Sequence, residues 1–228
     1  MSIIPDKPPF KLLDILYKKE FILFVVLVSI LIINSNISPY FLDLYNLIDS
    51  TFLFSEKAII ALTMTFVIIA RQIDLSVASI IAVSSVVLGY TTSLGYDTWL
   101  VLLLTLLSGA LCGAFNGAII TKFAIPSIIV TIGTMSLFRG LAYSFLEDSY
   151  YNKFPKLVGK LGGGYLYGYI PYAFLTFILL AFVFAFILHK TSIGKKIYSI
   201  GNNPDAAQYT GIAVDKYTFV LFTLNGLF

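Results

Sequence analysis

The sequence predicts an all-α, polytopic membrane protein with about six complete transmembrane helices and the start of a seventh. Three observations carry that prediction. Of 228 residues, 58% are hydrophobic and only 12% charged, against about 45–50% and about 25% in soluble domains. The mean hydropathy is +0.91. Uncharged runs of about 20 residues, enough to cross a hydrocarbon core of about 30 Å as helix, recur along the chain. So little charge cannot cover a soluble protein of this size, which also excludes disordered, collagen-like and disulfide-scaffold classes. Cys112 is the single cysteine and reads as a small packing residue. A net charge of +3 is too small to suggest nucleic-acid binding.

The spans follow in order. Phe21–Leu42 contains FILFVVLVSILII, and Phe52–Ala70 carries Glu56 and Lys57 at one end. Leu75–Tyr96 follows RQID, and Thr98–Thr121 follows Asp97. Phe123–Leu146 is broken only by Arg139, and Leu161–Leu188 is apolar from Ala173 onward. The last run, Tyr217–Phe228, stops after 12 residues. That is about 18 Å of helix, too short to cross, so a truncated gene product or fragment is expected. Asp6, Asp14 and Glu20 precede the first run, and IINSNISPY offers no A-x-A-like site. An uncleaved anchor is therefore expected rather than a signal peptide.

Lys and Arg in the short loops predict the orientation. With the N-terminus inside, the inner segments hold Lys7, Lys11, Lys18, Lys19, Arg71, Lys122, Lys190, Lys195, Lys196 and Lys216. The outer segments hold only Lys57, Lys153, Lys156 and Lys160. Two longer loops then lie on opposite faces, Glu147–Pro171 outside and His189–Lys216 inside. Tyr40, Tyr90, Tyr96, Trp99 and the YLYGYIPY stretch fall near the outer ends, as an aromatic belt would.

Within the spans, three features stand out. Gly109, Gly113 and Gly117 in SGALCGAFNGAII are spaced by four. They stack on one helix face and admit a close backbone neighbour, either as ordinary packing or as a sliding contact. Arg71, Gln72, Ile73 and Asp74 interrupt a long apolar stretch. They read as a membrane-edge turn with an i,i+3 ion pair, or as a broken-helix element, since non-helical backbone at depth needs protein or water beside it. Arg139 is a charge inside a span, a functional-site hypothesis by default, although it lies near enough to the span's end to snorkel outward.

Other chemistries lack their residues. There is no G-x-x-x-x-G-K-[ST] phosphate loop, and one His and one Cys make no metal set. His189, at an interface beside Lys190, leaves no Ser/His/Asp arrangement, so no catalytic residues and no cofactor are expected. The spans show no acid at mid-depth, the usual mark of ion coupling. The expected molecule is a conduit driven from elsewhere.

The loop TSIGKKIYSIGNNPDAAQYTGIAVDKYT is the most informative stretch. Asn202 and Asn203 suit a turn or helix cap, and Pro204 suits a first helical position. Asp205 opposes the positive helix end. Ala206, Ala207, Gln208 and Tyr209 continue the helix, and Gly211 fits a C-terminal cap. The result is a short capped helix over Pro204–Ile212, either a docking knob for a soluble partner or an inert amphipathic loop.

These residues resemble a family. SPYFLD at Ser38–Asp43, IDLSVASIIA at Ile73–Ala82 and CGAFNG at Cys112–Gly117 match permease subunits of bacterial ATP-binding-cassette (ABC) importers for ribose and related sugars. So do IPSIIVTIGTMSLFRGLAY at Ile125–Tyr143 and IGKKIYSIGNNPDAAQYTGI at Ile193–Ile212. The likeness is greatest to the branch of autoinducer-2 and rhamnose importers. It implies one transmembrane permease domain over 1–228, incomplete at its C-terminus, with a cytoplasmic coupling loop at 190–216. It implies a bacterial inner-membrane location and alternating access for a small sugar-like solute, with no ATPase motif in this chain. It implies as partners a cytoplasmic ABC ATPase dimer, a sister or identical permease and an extracytoplasmic solute-binding protein. The ATPase-coupling role falls on Asn202, Asn203, Pro204, Asp205, Ala206, Ala207, Tyr209 and Gly211. Asp74, Ser76, Ser127 and Arg139 are candidates for the translocation path. A secondary carrier, an intramembrane enzyme and a non-transporting scaffold are the competing readings.

Overall fold

The computed structural model describes residues 19–146 and 150–228. Lys7, Lys11, Lys18, Asp6, Asp14 and Glu147, used above for charge and orientation, lie outside the described residues. Contacts divide the chain into a unit over 1–50 and a unit over 51–228.

In the first unit, α1 (Lys19–Ile37) is apolar on all sides and buries no side chain. It ends before the predicted Leu42. Asn34 and Asn36 turn their amides back onto the carbonyls of Ile30 and Ile32, both at 2.8 Å, and Pro39 follows. Asp43 then opens α2 (Leu44–Ile69) by accepting from the Tyr45 amide at 3.2 Å.

The second unit begins within α2. Four further long or apolar helices follow: α3 (Val77–Ser93), α4 (Thr98–Phe123), α5 (Ser127–Leu146) and α7 (Tyr172–Lys190). With α1 and α2, five helices of the described residues are long and apolar enough to cross a membrane; α3 is shorter, at 17 residues. That is about 25 Å, less than the predicted Leu75–Tyr96. Apolar spans must close their own backbone hydrogen bonds, and hydroxyls inside them do likewise. Thr105, Thr121 and Thr131 each donate to the carbonyl four residues back at 2.8 Å.

Helix ends are set by particular residues. Arg71, at φ +59°, stops α2 in a Schellman arrangement. Arg71 donates to the Ile68 carbonyl at 2.9 Å and Gln72 to that of Val67 at 3.0 Å. Asp97 caps α4 by accepting from the Trp99 amide at 2.9 Å. Ala124 (φ +50°) ends α4, and Pro126 disfavours helix at Ile125. The fifth span therefore starts at Ser127 rather than the expected Phe123.

Within the uncharged run Leu161–Leu188 the helix begins late, at the bound that the loop Glu147–Pro171 and the apolar stretch from Ala173 already set. Three successive glycines stop a short helix, α6 (Lys156–Gly163). A hairpin follows, β1 (Tyr165–Leu166) against β2 (Ile170–Pro171), antiparallel. Tyr167 at φ +52° and Gly168 at φ +80° make its turn, the geometry favoured by the right-handed strand twist. The membrane helix α7 starts only after Pro171.

Beyond α7 comes a helix the loop reading did not anticipate, α8 (Ser192–Asn202). Ile197 and Ile200 are buried on it, while Lys195, Lys196, Tyr198 and Ser199 are exposed. The helix is thus amphipathic, with one face packed. α9 (Pro204–Tyr209) and α10 (Val214–Leu227) complete the chain. Ile197, Ile200 and Ala207 share an apolar core with Val67 and Ala70 at the end of α2, Ile120, Val130, Leu221 and Phe222. This core fastens the α8–α9 layer onto the helix ends.

Candidate functional site

The segment between α2 and α3 is non-helical over Gln72–Ser76, and it carries the most buried polar chemistry of the unit. Arg71 is exposed, but Asp74 is only 2% exposed. The expected Arg71–Asp74 ion pair is not formed. One Asp74 carboxyl oxygen instead accepts from the Ser76 amide at 2.9 Å and the Ser76 hydroxyl at 2.6 Å. The other accepts from the Asn225 side-chain amide at 2.8 Å, across 151 residues of sequence. Gln72–Ser76 is thus an irregular segment packed against protein, and Asp74 is a buried acid that lies between two spans rather than within one. Asp74 escapes a span-by-span inspection because it sits in the break between two helices.

The cluster extends outward from this pair. Thr63 on α2 donates to Asn225 Oδ1 at 2.8 Å, so Asn225 on α10 bridges α2 and the break. Asn116 on α4 donates to Ser76 Oγ at 2.8 Å. Ser127 at the start of α5 accepts from the Ile73 amide at 3.0 Å, and Thr131 one turn later donates to the Ile73 carbonyl at 3.3 Å. Ser127 and Thr131 on α5 thus satisfy irregular backbone at Ile73 that lipid would leave unpaired, at several kcal/mol per group. Asn225 on α10 and Asn116 on α4 bond the side chains of Asp74 and Ser76, and Thr63 on α2 bonds Asn225. Two buried side-chain atoms keep no hydrogen-bond partner among the described residues, Asn116 Oδ1 and Ser79 Oγ.

Of the candidate path residues, Asp74, Ser76 and Ser127 meet in this cluster. Arg139 does not. It is exposed and twelve residues beyond Ser127 on α5, about 18 Å along the axis. There it lines a separate cavity of about 360 Å³ with Ser85, Tyr143, Tyr150, Tyr151 and Phe154. Sequence reading missed Thr63, Asn116, Thr131 and Asn225. The available signal was an asparagine beside a glycine in each of two apolar runs, FNG and LNG.

The glycine face of α4 lies against α10. A Cβ at Gly109 would run into the Gly226 carbonyl oxygen, and one at Gly113 into that of Phe222. At Gly117 a Cβ would stand 3.0 Å from the Phe219 Cα. Gly226 meets α4 in return at Gly109 and Gly113. Backbone thus packs on backbone, placing Asn225 against the break and Asn116 beside it.

The α8–α9 layer holds the candidate coupling residues. Asn202 is the last residue of α8. Asn203 caps α9, its side chain accepting from the Ala206 amide at 3.0 Å. Pro204 begins α9 and Asp205 sits in the first turn. The helix ends at Tyr209, short of the predicted Ile212, because Gly211 (φ +86°) closes it as a Schellman cap. Gly211 donates to the Gln208 carbonyl at 2.9 Å and Ile212 to that of Ala207 at 3.1 Å. Ala207 is buried, while Asn202, Asn203, Asp205, Ala206 and Gly211 are exposed and Tyr209 is 92% exposed. A buried inner face and a protruding outer tyrosine describe a rigid knob.

The profile of the family described as branched-chain amino acid transport system / permease component matches residues 46–228. The autoinducer 2 import system permease protein LsrC of Escherichia coli O9:H4 (strain HS) is 34% identical over 168 residues, covering 74% of this chain and 49% of that protein. LsrD of Klebsiella pneumoniae subsp. pneumoniae is 31% identical over 218 residues, 91% of this chain and 64% of its own length. LsrC of Photorhabdus laumondii subsp. laumondii is 32% identical over 204 residues, 88% of this chain and 61% of its own. The chain therefore spans between about half and just under two thirds of these relatives. No solved structure matches it. On the match over 46–228 and these identities, the chain belongs to the permease family described as branched-chain amino acid transport system / permease component.

Proposed function

We propose that this chain is the membrane permease subunit of an ATP-binding-cassette importer for a small sugar-like solute of the ribose, autoinducer-2 or rhamnose type. The likeness to the autoinducer 2 import permeases carries this reading. The subunit lies in the bacterial inner membrane with its N-terminus cytoplasmic, as one permease domain whose coupling loop spans 190–216. A cytoplasmic ATPase dimer, a sister or identical permease and an extracytoplasmic solute-binding protein complete the system.

The capped helix α9 seats in the ATPase. Asn203, Pro204 and Asp205 hold it rigid, Ala207 fastens it inward, and Asn202, Ala206, Tyr209 and Gly211 face the partner. ATP-driven closure moves α9, and Gly211 and α10 pass the movement inward. There Asn225 holds Asp74, and the Gly109, Gly113 and Gly117 face keeps α10 against α4. A contact made differently in the two states is what coupling requires. Asp74, Ser76 and Ser127 border the solute path, where the unpartnered Asn116 Oδ1 and Ser79 Oγ suit hydroxyl groups. Arg139 and its tyrosines stand at another point of the path.

Co-expression with a candidate ABC ATPase from the same organism tests the docking. Wild type should recover the ATPase on affinity purification, and Pro204→Ala with Asp205→Lys should lose it. Equal recovery by the altered loop, or labelling of cysteines at 203–211 from outside the cell, would overturn the reading. A second reading, an ion-driven carrier, is favoured by the burial of Asp74 alone. Solute uptake into vesicles lacking any ATPase would select it.

A further inference from the structure

α3 and α5 both start at the buried polar cluster, and further along they enclose the cavity that holds Arg139. On α3 it lies nine residues past Ser76, at Ser85, and on α5 twelve past Ser127, about 14 Å and 18 Å of helix. Its volume is about 360 Å³, the scale of a small ligand, for which sites begin at about 300 Å³. Ala82 and Ala142 leave the room, and Tyr150, Tyr151 and Phe154 beyond α5 wall one side. Gly89 of α3 seats Tyr151 in that wall. A Cβ at Gly89 would stand between 2.5 and 2.7 Å from the Cβ, Cγ and Cδ2 of Tyr151, so the tyrosine lies directly on helix backbone. The polar lining consists of donors. Arg139 brings a fork of N–H groups, and Ser85, Tyr143, Tyr150 and Tyr151 each bring a hydroxyl. Among the described residues no Asp or Glu lines the cavity.

We propose that this cavity is an oxyanion site, in which the Arg139 guanidinium pairs with a phosphate group and the surrounding hydroxyls donate to its remaining oxygens. A guanidinium inside a span is costly until it is paired or hydrated, and its planar fork meets two oxygens of one phosphate at once. An uncharged polyol needs acceptors for its own hydroxyl protons, and this lining offers only the oxygens of Ser85 and the tyrosines. A cation would meet Arg139 with no carboxylate to offset it. A soluble phosphate ester and a lipid headgroup present the same acceptor oxygens, so the chemistry is shared and the source is a matter for the test. The inference stands apart from the transport reading, because it is read by occupancy of the purified chain and not by uptake.

The test takes the full 228-residue chain in mild detergent and compares probes that differ only in the phosphate. Ribose 5-phosphate is set against ribose by equilibrium binding of the labelled compounds. Phosphatidic acid is set against diacylglycerol with identical acyl chains by native mass spectrometry. In at least one pair the phosphate-bearing probe should bind roughly tenfold better than its neutral counterpart, the worth of a hydrogen bond to a charged group. A response in the soluble pair makes an ester the source, and a response in the lipid pair makes it a headgroup. Arg139→Gln should bring the preference to parity, whereas Lys57→Gln, which removes an exposed cation on α2, should keep it. Gly89→Ala, which displaces Tyr151 and leaves Arg139 in place, should weaken binding several-fold at unchanged helical circular dichroism. Parity within both pairs in the wild type would overturn the proposal, and so would a preference that survives Arg139→Gln. A preference that appears only in Glu147→Gln with Asp148→Asn would overturn it as well, because Arg139 would then be paired within the chain.

Discussion

α1 and α4 are both long, apolar helices fit to cross a bilayer, and they differ in what they bury. α1, rich in Ile, Leu and Val, buries nothing within the described residues. α4 buries Val101, Gly109, Gly113, Asn116, Gly117 and Ile120. Four of those six carry either no side chain or a polar one. Large apolar residues make a helix soluble in lipid, but lipid tails compete for them equally well, so they give little reason for helices to associate. Glycine lets two backbones touch, and a buried amide has no good partner in hydrocarbon. The specific packing of this molecule therefore rests on the residues that look least like a membrane span.

The comparison can be broken most sharply at the seam. Gly113→Leu drives a side chain into the Phe222 carbonyl of α10, where two backbones must part. We expect a loss of about 3 kcal/mol, at the upper end for overpacking, seen as a lowered thermal midpoint or as loss of folded protein. Asn225→Leu keeps the volume roughly but strands the buried Asp74 oxygen it serves, at about 1–3 kcal/mol. Combining it with Asp74→Asn sharpens the result. The two changes share one hydrogen bond, so the double variant should lose less than the sum of the singles, by about 0.5–3 kcal/mol. Additive losses in denaturant melts would mean the pair does not couple. Smallest of all, Leu23→Ala on α1 should leave the midpoint within about 0.5 kcal/mol of wild type. A large effect there would show that α1 packs as tightly as α4.

Legibility in the sequence followed the same division. Span positions were readable because a lipid solvent requires length and apolarity, which are local properties. The capped helix after GNN was readable because Asn203, Pro204, Asp205 and Gly211 act within a few residues of one another. Its amphipathic neighbour α8 was hidden by the glycines and turn signals at its ends, although Ile197 and Ile200 already stood at helical spacing. The run Leu161–Leu188 is uncharged from its start because a tyrosine-rich hairpin carries no more charge than a helix, although the loop bound at Pro171 already meets the start of α7. Only the glycines and Pro171 distinguish the two.

The amino-acid sequence alone determined that this polypeptide lives in a membrane as a bundle of helices, because hydropathy and capping are counted over neighbouring residues. Its likeness to import permeases was also written there, in motifs such as IDLSVASIIA and IGNNPDAAQYTGI. Only the tertiary structure decided that Asp74 turns inward to Ser76 and Asn225 rather than outward to Arg71, and that Arg139 stands apart from it. The physical reason is that a buried polar group takes whatever partner the fold brings within about 3 Å. Here that partner comes from a helix 151 residues further along the chain.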